Sequence, residues 1–144
     1  MRGGKEYIPP YGAFRIGLKA HNVYGEDSSW LGSYGQRVDS DPNEWPVAYH
    51  GTSIENVIGI LTEGFSLEKA NVGSFGIGIY CSPCHRTSLG YAKPFVYEQT
   101  TYQAVFQCRI NPEAVKEHDR IWLVPNGTHI RPYGLCIYRN YMRC

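Results

Sequence analysis

The chain has 144 residues, near the commonest size of one domain, enough for one real core and too few for two. Lys plus Arg number 14 against 13 for Asp plus Glu, so no net field draws nucleic acid or an acidic membrane from a distance. Sixteen Gly, nine Pro and twelve Tyr, in a chain only 19% charged, argue against a helical bundle or a disordered tail and for a turn-rich, aromatic-lined β structure.

Residues 1–46 are rich in Gly, Pro, Ser and Asp. Their alternation at Phe14-Arg15-Ile16-Gly17-Leu18 predicts one strand inside long connections. Trp45 to Thr52 (WPVAYHGT) predicts a short strand that breaks at Gly51. Thr52 to Gly64 then predicts a helix, with Thr52 as cap and Glu55 three residues on. Ile54, Val57, Ile58 and Leu61 fall on one face, and Gly64 stands at the left-handed end. Gly73 to Cys81 (GSFGIGIYC) reads as a loop feeding a second strand. Ser82-Pro83 starts a second helix carrying Ser88 and Tyr91. Tyr102 to Ile110 (YQAVFQCRI) alternates as a half-buried strand, and IWLV at 121–124 and YGLCIY at 133–138 close the chain as strands. The order predicts a single α+β domain over 1–144, with a few short helices against mainly antiparallel sheet.

Cys81, Cys84, Cys108, Cys136 and Cys144 make an odd total, and the opening MRGGKEYIPPYGAF lacks the apolar run of a secretory signal, so an intracellular, reducing home is expected. No stretch approaches the roughly 18 apolar residues of a membrane span. Cys81-x-x-Cys84-His85 has the look of half a zinc site, but no second pair follows at finger spacing, so no metal is expected. Asn126-Gly127-Thr128 matches a glycosylation triplet and is expected to be a polar turn. Gly76-x-Gly78 lacks the third glycine and the following helix of a dinucleotide loop.

Four spaced features coincide: YHGT at 49–52, Gly64-Phe65 after a helix, FGIGIY at 75–80, and SLGYA at 88–92, which sets Tyr91 eleven residues after Tyr80 and Ser88 eight after it. Together they resemble the catalytic domain of the poly(ADP-ribose) polymerase superfamily over about residues 47–138. Residues 1–46 resemble, loosely, the tail of neuralized-like proteins.

The resemblance implies an ADP-ribosyltransferase-like fold of split β-sheets, with NAD as substrate and no metal. It implies catalytic positions at His50, Tyr80 and Ile121, and NAD contacts from His50, Gly51, Thr52, Tyr80, Ser88 and Tyr91. His50 would bond the adenosine ribose, the Gly51 backbone and Ser88 hydroxyl the nicotinamide carboxamide, and Tyr80 and Tyr91 the two faces of the nicotinamide ring. The chemistry suits those types, since a cationic ring is drawn to tyrosine π-faces and only glycine lets a ring lie against backbone.

Polymer-forming members carry a glutamate at the start of the penultimate strand. Counted back from Pro132 of RPYGL, that position is Ile121, which neither accepts a proton nor binds a hydroxyl. Asp119 would share its strand face if the strand extended that far. Arg86, Lys69 and Lys93 are candidates to face the pyrophosphate. The expectation is a monomeric, NAD-dependent mono-ADP-ribosyltransferase acting on a protein or a nucleic-acid end. The alternatives are an inactive module that binds ADP-ribose or a partner, an NAD glycohydrolase, and an RNA 2′-phosphotransferase, whose expected set of cleft arginines the chain does not show.

Overall fold

The structure, a computed structural model, describes residues 1–20, 23–25, 27–32, 43–66 and 71–139. Its strands are β1 (Phe14–Gly17), β2 (Val47–Thr52), β3 (Asn71–Gly73), β4 (Gly76–Cys81), β5 (Phe95–Tyr97), β6 (Thr100–Ile110), β7 (Lys116–His118), β8 (Ile121–Val124) and β9 (Ile130–Arg139). Helix α1 (Ile54–Glu63) follows β2, and α2 (His85–Leu89) follows β4. Two antiparallel sheets form, one in the order β1-β9-β6-β2 with β5 also on β6, the other in the order β3-β4-β8-β7. The expected α+β, split-sheet architecture is what is found, and among the described residues no helix is long and apolar enough to cross a membrane.

β6 is the centre. Its alternation predicts one wet face, yet every residue from Ala104 to Ile110 is buried. On one side Ala104, Phe106, Cys108 and Ile110 pack with Val57 and Ile60 of α1 and with Ile79, Trp122 and Val124 of the second sheet. On the other, Val105 packs with Tyr49, Cys136 and Tyr138, against which Tyr7 and Ala13 of the N-terminal segment lie. That segment therefore roofs the face expected to be wet. Gln107 survives there because Arg15 Nε donates to its Oε1 at 2.7 Å and its Nε2 donates to the hydroxyls of Tyr7 and Tyr49.

The end of β2 and both helices differ from the sequence reading. β2 runs through Gly51 to Thr52, because Gly51 stays extended opposite Val105, so Ser53 rather than Thr52 takes the cap position of α1. The face of α1 that meets the core is Val57 and Ile60, whereas Ile54, Ile58 and Leu61 are exposed, since the helix lies on the sheet along a narrower stripe than its apolar residues define. Cys84 caps α2, its amide donating to Ser82 Oγ at 3.1 Å, and the helix stops at Leu89, which leaves Tyr91 in the turn beyond it. Gly64 does have a positive φ, 77°, and its amide closes α1 on Ile60 O at 2.9 Å.

Candidate functional site

The two sheets meet at one backbone pair. Tyr49 N donates to Ser82 O at 2.7 Å and Ser82 N to Tyr49 O at 2.9 Å, which joins the edge of β2 to the end of β4. Strand backbones alternate, so Gly51, two residues on, directs its N–H and C=O the same way as Tyr49, away from β6 and into the split. His50 and Thr52 turn their backbones to β6 instead, opposite Phe106 and Ala104. Gly51 thus holds a donor and an acceptor side by side on a strand edge that pairs with no other strand, and the residue is buried there. Gly51 is glycine for a further reason, since a Cβ there would fall 2.0 Å from Ser88 O. Only glycine lets the end of α2 close on β2.

His50 stands beside that edge, 9% exposed, with Nδ1 2.7 Å from Tyr80 O. Burial pulls the imidazole below its ordinary value near 6.5, and the bond to Tyr80 opposes this only in part, so the ring is neutral at pH 7. A carbonyl can only accept, so Nδ1 carries the proton and Nε2 is left as an acceptor fit for a sugar hydroxyl. Phe65 presents to the ring edge-on at 5.0 Å between centroids and fixes its plane.

The two tyrosines do not face one another as the resemblance implies. Tyr80 is 7% exposed; its hydroxyl donates to Gly76 O at 2.6 Å and accepts from Phe75 N at 3.1 Å. The β3–β4 hairpin folds over its ring, for a Cβ on Gly73 would lie 2.5 Å from Tyr80 Cζ. Tyr91 is 55% exposed, and no ring contact joins it to Tyr80. Ser88, 1% exposed, donates its hydroxyl to Tyr49 O at 2.7 Å, so its proton is committed and only its lone pairs remain for a carboxamide. Thr52, 5% exposed, closes β2. Gly73 escaped the sequence reading; the signal available was a glycine set to face the GIY tyrosine across a tight hairpin.

Ile121 opens β8, half-buried, two residues before Leu123, which pairs with Tyr80. Asp119 is not on that strand. It sits in the β7–β8 turn at φ 57° and lines a cleft of about 410 Å³ with Lys5, Glu6, Cys84 and Arg120. The shared face expected for Asp119 and Ile121 is therefore absent, because His118 pairs with Ile121 and leaves Asp119 outside the ladder. Lys69 lies outside the described residues. Arg86 and Lys93 are exposed and line none of the described cavities.

No group of three or more metal-ligating side chains occurs among the described residues. The ring of His85 stacks on Tyr138 at 5.8 Å, buried among aromatics. Asn126 forms the expected polar turn, its Oδ1 accepting from Thr128 N at 3.0 Å. A second cavity, about 250 Å³, lies at Phe65, Gly64, Glu63, Thr128, Tyr24 and Arg131.

Comparison with known proteins gives a family and a fold. The model of the family described as the poly(ADP-ribose) polymerase catalytic domain matches residues 26–111, a span that holds His50, Tyr80, Ser88 and Tyr91 and stops short of Ile121. Among solved structures, the fold is similar to the PARP domain of Arabidopsis RADICAL-INDUCED CELL DEATH1, at a TM-score of 0.52 and 18% identity, over 67% of this chain and 68% of that one. No curated protein sequence matches the chain. The resemblance of residues 1–46 to neuralized-like proteins stays an expectation. NAD is the substrate of PARP domains. The chain belongs to the poly(ADP-ribose) polymerase catalytic-domain family of ADP-ribosyltransferases.

Proposed function

We propose that the chain is an NAD-dependent mono-ADP-ribosyltransferase, which breaks the bond between nicotinamide and ribose and joins one ADP-ribose to a nucleophile on a protein or a nucleic-acid end. The observation that supports this reading is the Gly51 peptide edge, buried and facing away from β6, beside a neutral His50. Gly51 would orient the carboxamide, and His50 Nε2 would accept from a ribose hydroxyl. Held in that way, the glycosidic bond stretches toward an oxocarbenium-like ribose that an acceptor attacks from the opposite face. Nicotinamide leaves with the bonding pair, and the acceptor loses a proton. Ile121 supplies no base, which supports a single transfer rather than chain elongation and leaves deprotonation to the acceptor or solvent.

A second reading has its own support. Gly73 covers Tyr80, and the Ser88 proton is spent on Tyr49, so the nicotinamide end is closed unless the β3–β4 hairpin opens. A module that binds ADP-ribose without chemistry would tolerate that closure.

Incubating the chain with labelled NAD, alone and with mixed protein, RNA and single-stranded DNA, separates the readings. Nicotinamide release with label on one acceptor class, lost in His50→Ala, supports the transferase and names its acceptor. Release into free ADP-ribose alone would make it a glycohydrolase, and binding without release a module.

A further inference from the structure

Strand β1 is an edge, and an unguarded one. It pairs with β9 on one side, and among the described residues no strand meets its other side. All four of its residues, Phe14 to Gly17, are exposed. Leu18 N donates to Tyr133 O at 3.0 Å, and backbones alternate along a strand, so Phe14 and Ile16 spend their N–H and C=O groups on β9. Arg15 and Gly17 point theirs outward, away from the ladder. Edge strands are usually blunted by charge or proline. β7, an edge of the second sheet, carries Lys116, Glu117 and His118 and is blunted in that way. The charge on β1 is turned inward instead, Arg15 Nε donating to Gln107 Oε1 at 2.7 Å and its Nη2 to Tyr133 O at 3.4 Å.

The edge is apolar on one face. Cross-strand partners share a face, so Phe14, opposite Ile137, and Ile16, opposite Leu135, stand on the side of the sheet that carries α1. Both are exposed, because α1 lies over β6, two strands away. A second β1 laid antiparallel against the first has one register that both charge and facing allow. With Arg15 opposite Gly17 of the second copy, and Gly17 opposite its Arg15, the outward peptides exchange four hydrogen bonds about a two-fold axis at Ile16. Ile16 then meets Ile16, and Phe14 meets Leu18, apolar against apolar on the α1 face. Sliding the strands two residues either way sets Arg15 against Arg15 or against Lys19, like charges directly opposite. A slide of one residue puts Phe14 and Ile16 on the wrong face. Gly17 leaves room for the arginine opposite it, since the one atom near a Cβ added there is Arg15 Nη1 of its own strand, at 3.6 Å.

We infer that a second copy of this chain pairs with the β1 edge in that register, joining two five-stranded sheets into one continuous sheet. The inference is independent of the NAD reading and replaces the monomer expected from sequence. Four residues of edge and two large apolar side chains per copy cover less than the roughly 800 Å² per partner of a standard interface, so the dimer belongs to the weak, concentration-dependent class.

The test is sedimentation equilibrium of the whole chain from about 1 μM to about 1 mM, with Gly17→Lys and Gly17→Glu beside the parent. The parent should pass from monomer to dimer within that range. Gly17→Lys, which sets two like-charged pairs across the axis, should weaken the dimer about tenfold, and Gly17→Glu, which sets two opposite-charged pairs, should tighten it by a similar factor. In the parent, the amides of Arg15 and Gly17 should exchange hydrogen more slowly as concentration rises, while those of Phe14 and Ile16, already bonded to β9, stay as they are. A parent that remains monomeric throughout overturns the inference, as does a dimer that both variants leave unchanged or whose Arg15 and Gly17 amides exchange at the monomer rate. If either variant misfolds, the amide exchange of the parent decides by itself.

Discussion

At position 121 an isoleucine occupies the end of a strand, half-buried, with the β7–β8 turn and solvent within reach. A carboxylate there can turn toward water, so Ile121→Glu should keep the fold, with a melting temperature within about 4 °C of the parent, roughly 1 kcal/mol. A much larger fall in a thermal melt would mark the position as core, where an unpaired charge is costly. His50 carries a different signature. Its folded proton affinity is depressed by burial, as is that of His85, so the unfolded chain binds more protons than the folded one once pH falls below about 6.5. Stability is then full above that pH and declines as pH drops through the folded values. Melting curves from pH 7.5 to 5 should show the decline, and His50→Gln, whose amide can still donate to Tyr80 O, should be flatter; an unchanged slope would show that His50 does not contribute. His50, Gly51 and Tyr80 were legible because their spacing is local to two strands. The setting of Arg131 over the rings of Tyr24, Trp30 and Trp45 was not, because it joins residues from both halves of the chain and no periodicity announces a cation set on aromatic faces.

Among the elements, the strands were read well where apolar alternation is strong, as in β6, and the helix faces were read badly. A stripe of Ile54, Val57, Ile58 and Leu61 looks like one buried face, but where α1 lies is decided by the sheet it meets, which takes Val57 and Ile60. The β5–β6 hairpin shows what sequence patterns hide. Its turn is Glu98-Gln99, between the paired Tyr97 and Thr100, with both residues at positive φ, 47° and 67°. Neither type favours that conformation, and Asn-Gly does. Replacing the pair with Asn-Gly should stabilise the protein by roughly 1 kcal/mol, read as a higher urea midpoint. A midpoint that stays put would mean that the two side chains make compensating contacts at the turn.

For the molecule as a whole, the first 46 residues were the least legible because what holds them lies far along the chain. Arg109 of β6 is the anchor. It pairs with Glu44 at 2.7 Å, both side chains under a tenth exposed, and donates to Trp45 O at 2.6 Å and Leu31 O at 3.1 Å. Arg109→Gln leaves a buried carboxylate short of its main counter-charge, at an expected cost of about 3–5 kcal/mol by chemical denaturation. A loss below 1 kcal/mol would show that the apolar contacts of Trp30 and Trp45 hold the segment by themselves. All three rings that flank Arg131, those of Tyr24, Trp30 and Trp45, come from this same segment, so loosening the anchor should also loosen the setting of Arg131.

The carbonyl oxygen of Tyr49 accepts from both Ser82 N and Ser88 Oγ. One atom therefore rivets β2, the end of β4 and α2 together, with no lone pair left over. Beyond the rivet the tie between β2 and β4 is the side-chain bond from His50 Nδ1 to Tyr80 O, so once that bond lets go the seam should open from the Gly51 side like a jaw on a pin. Motion that admits a ligand can then be wide at the mouth while the backbone at the pin stays still, which lets the site breathe without loosening the core behind it.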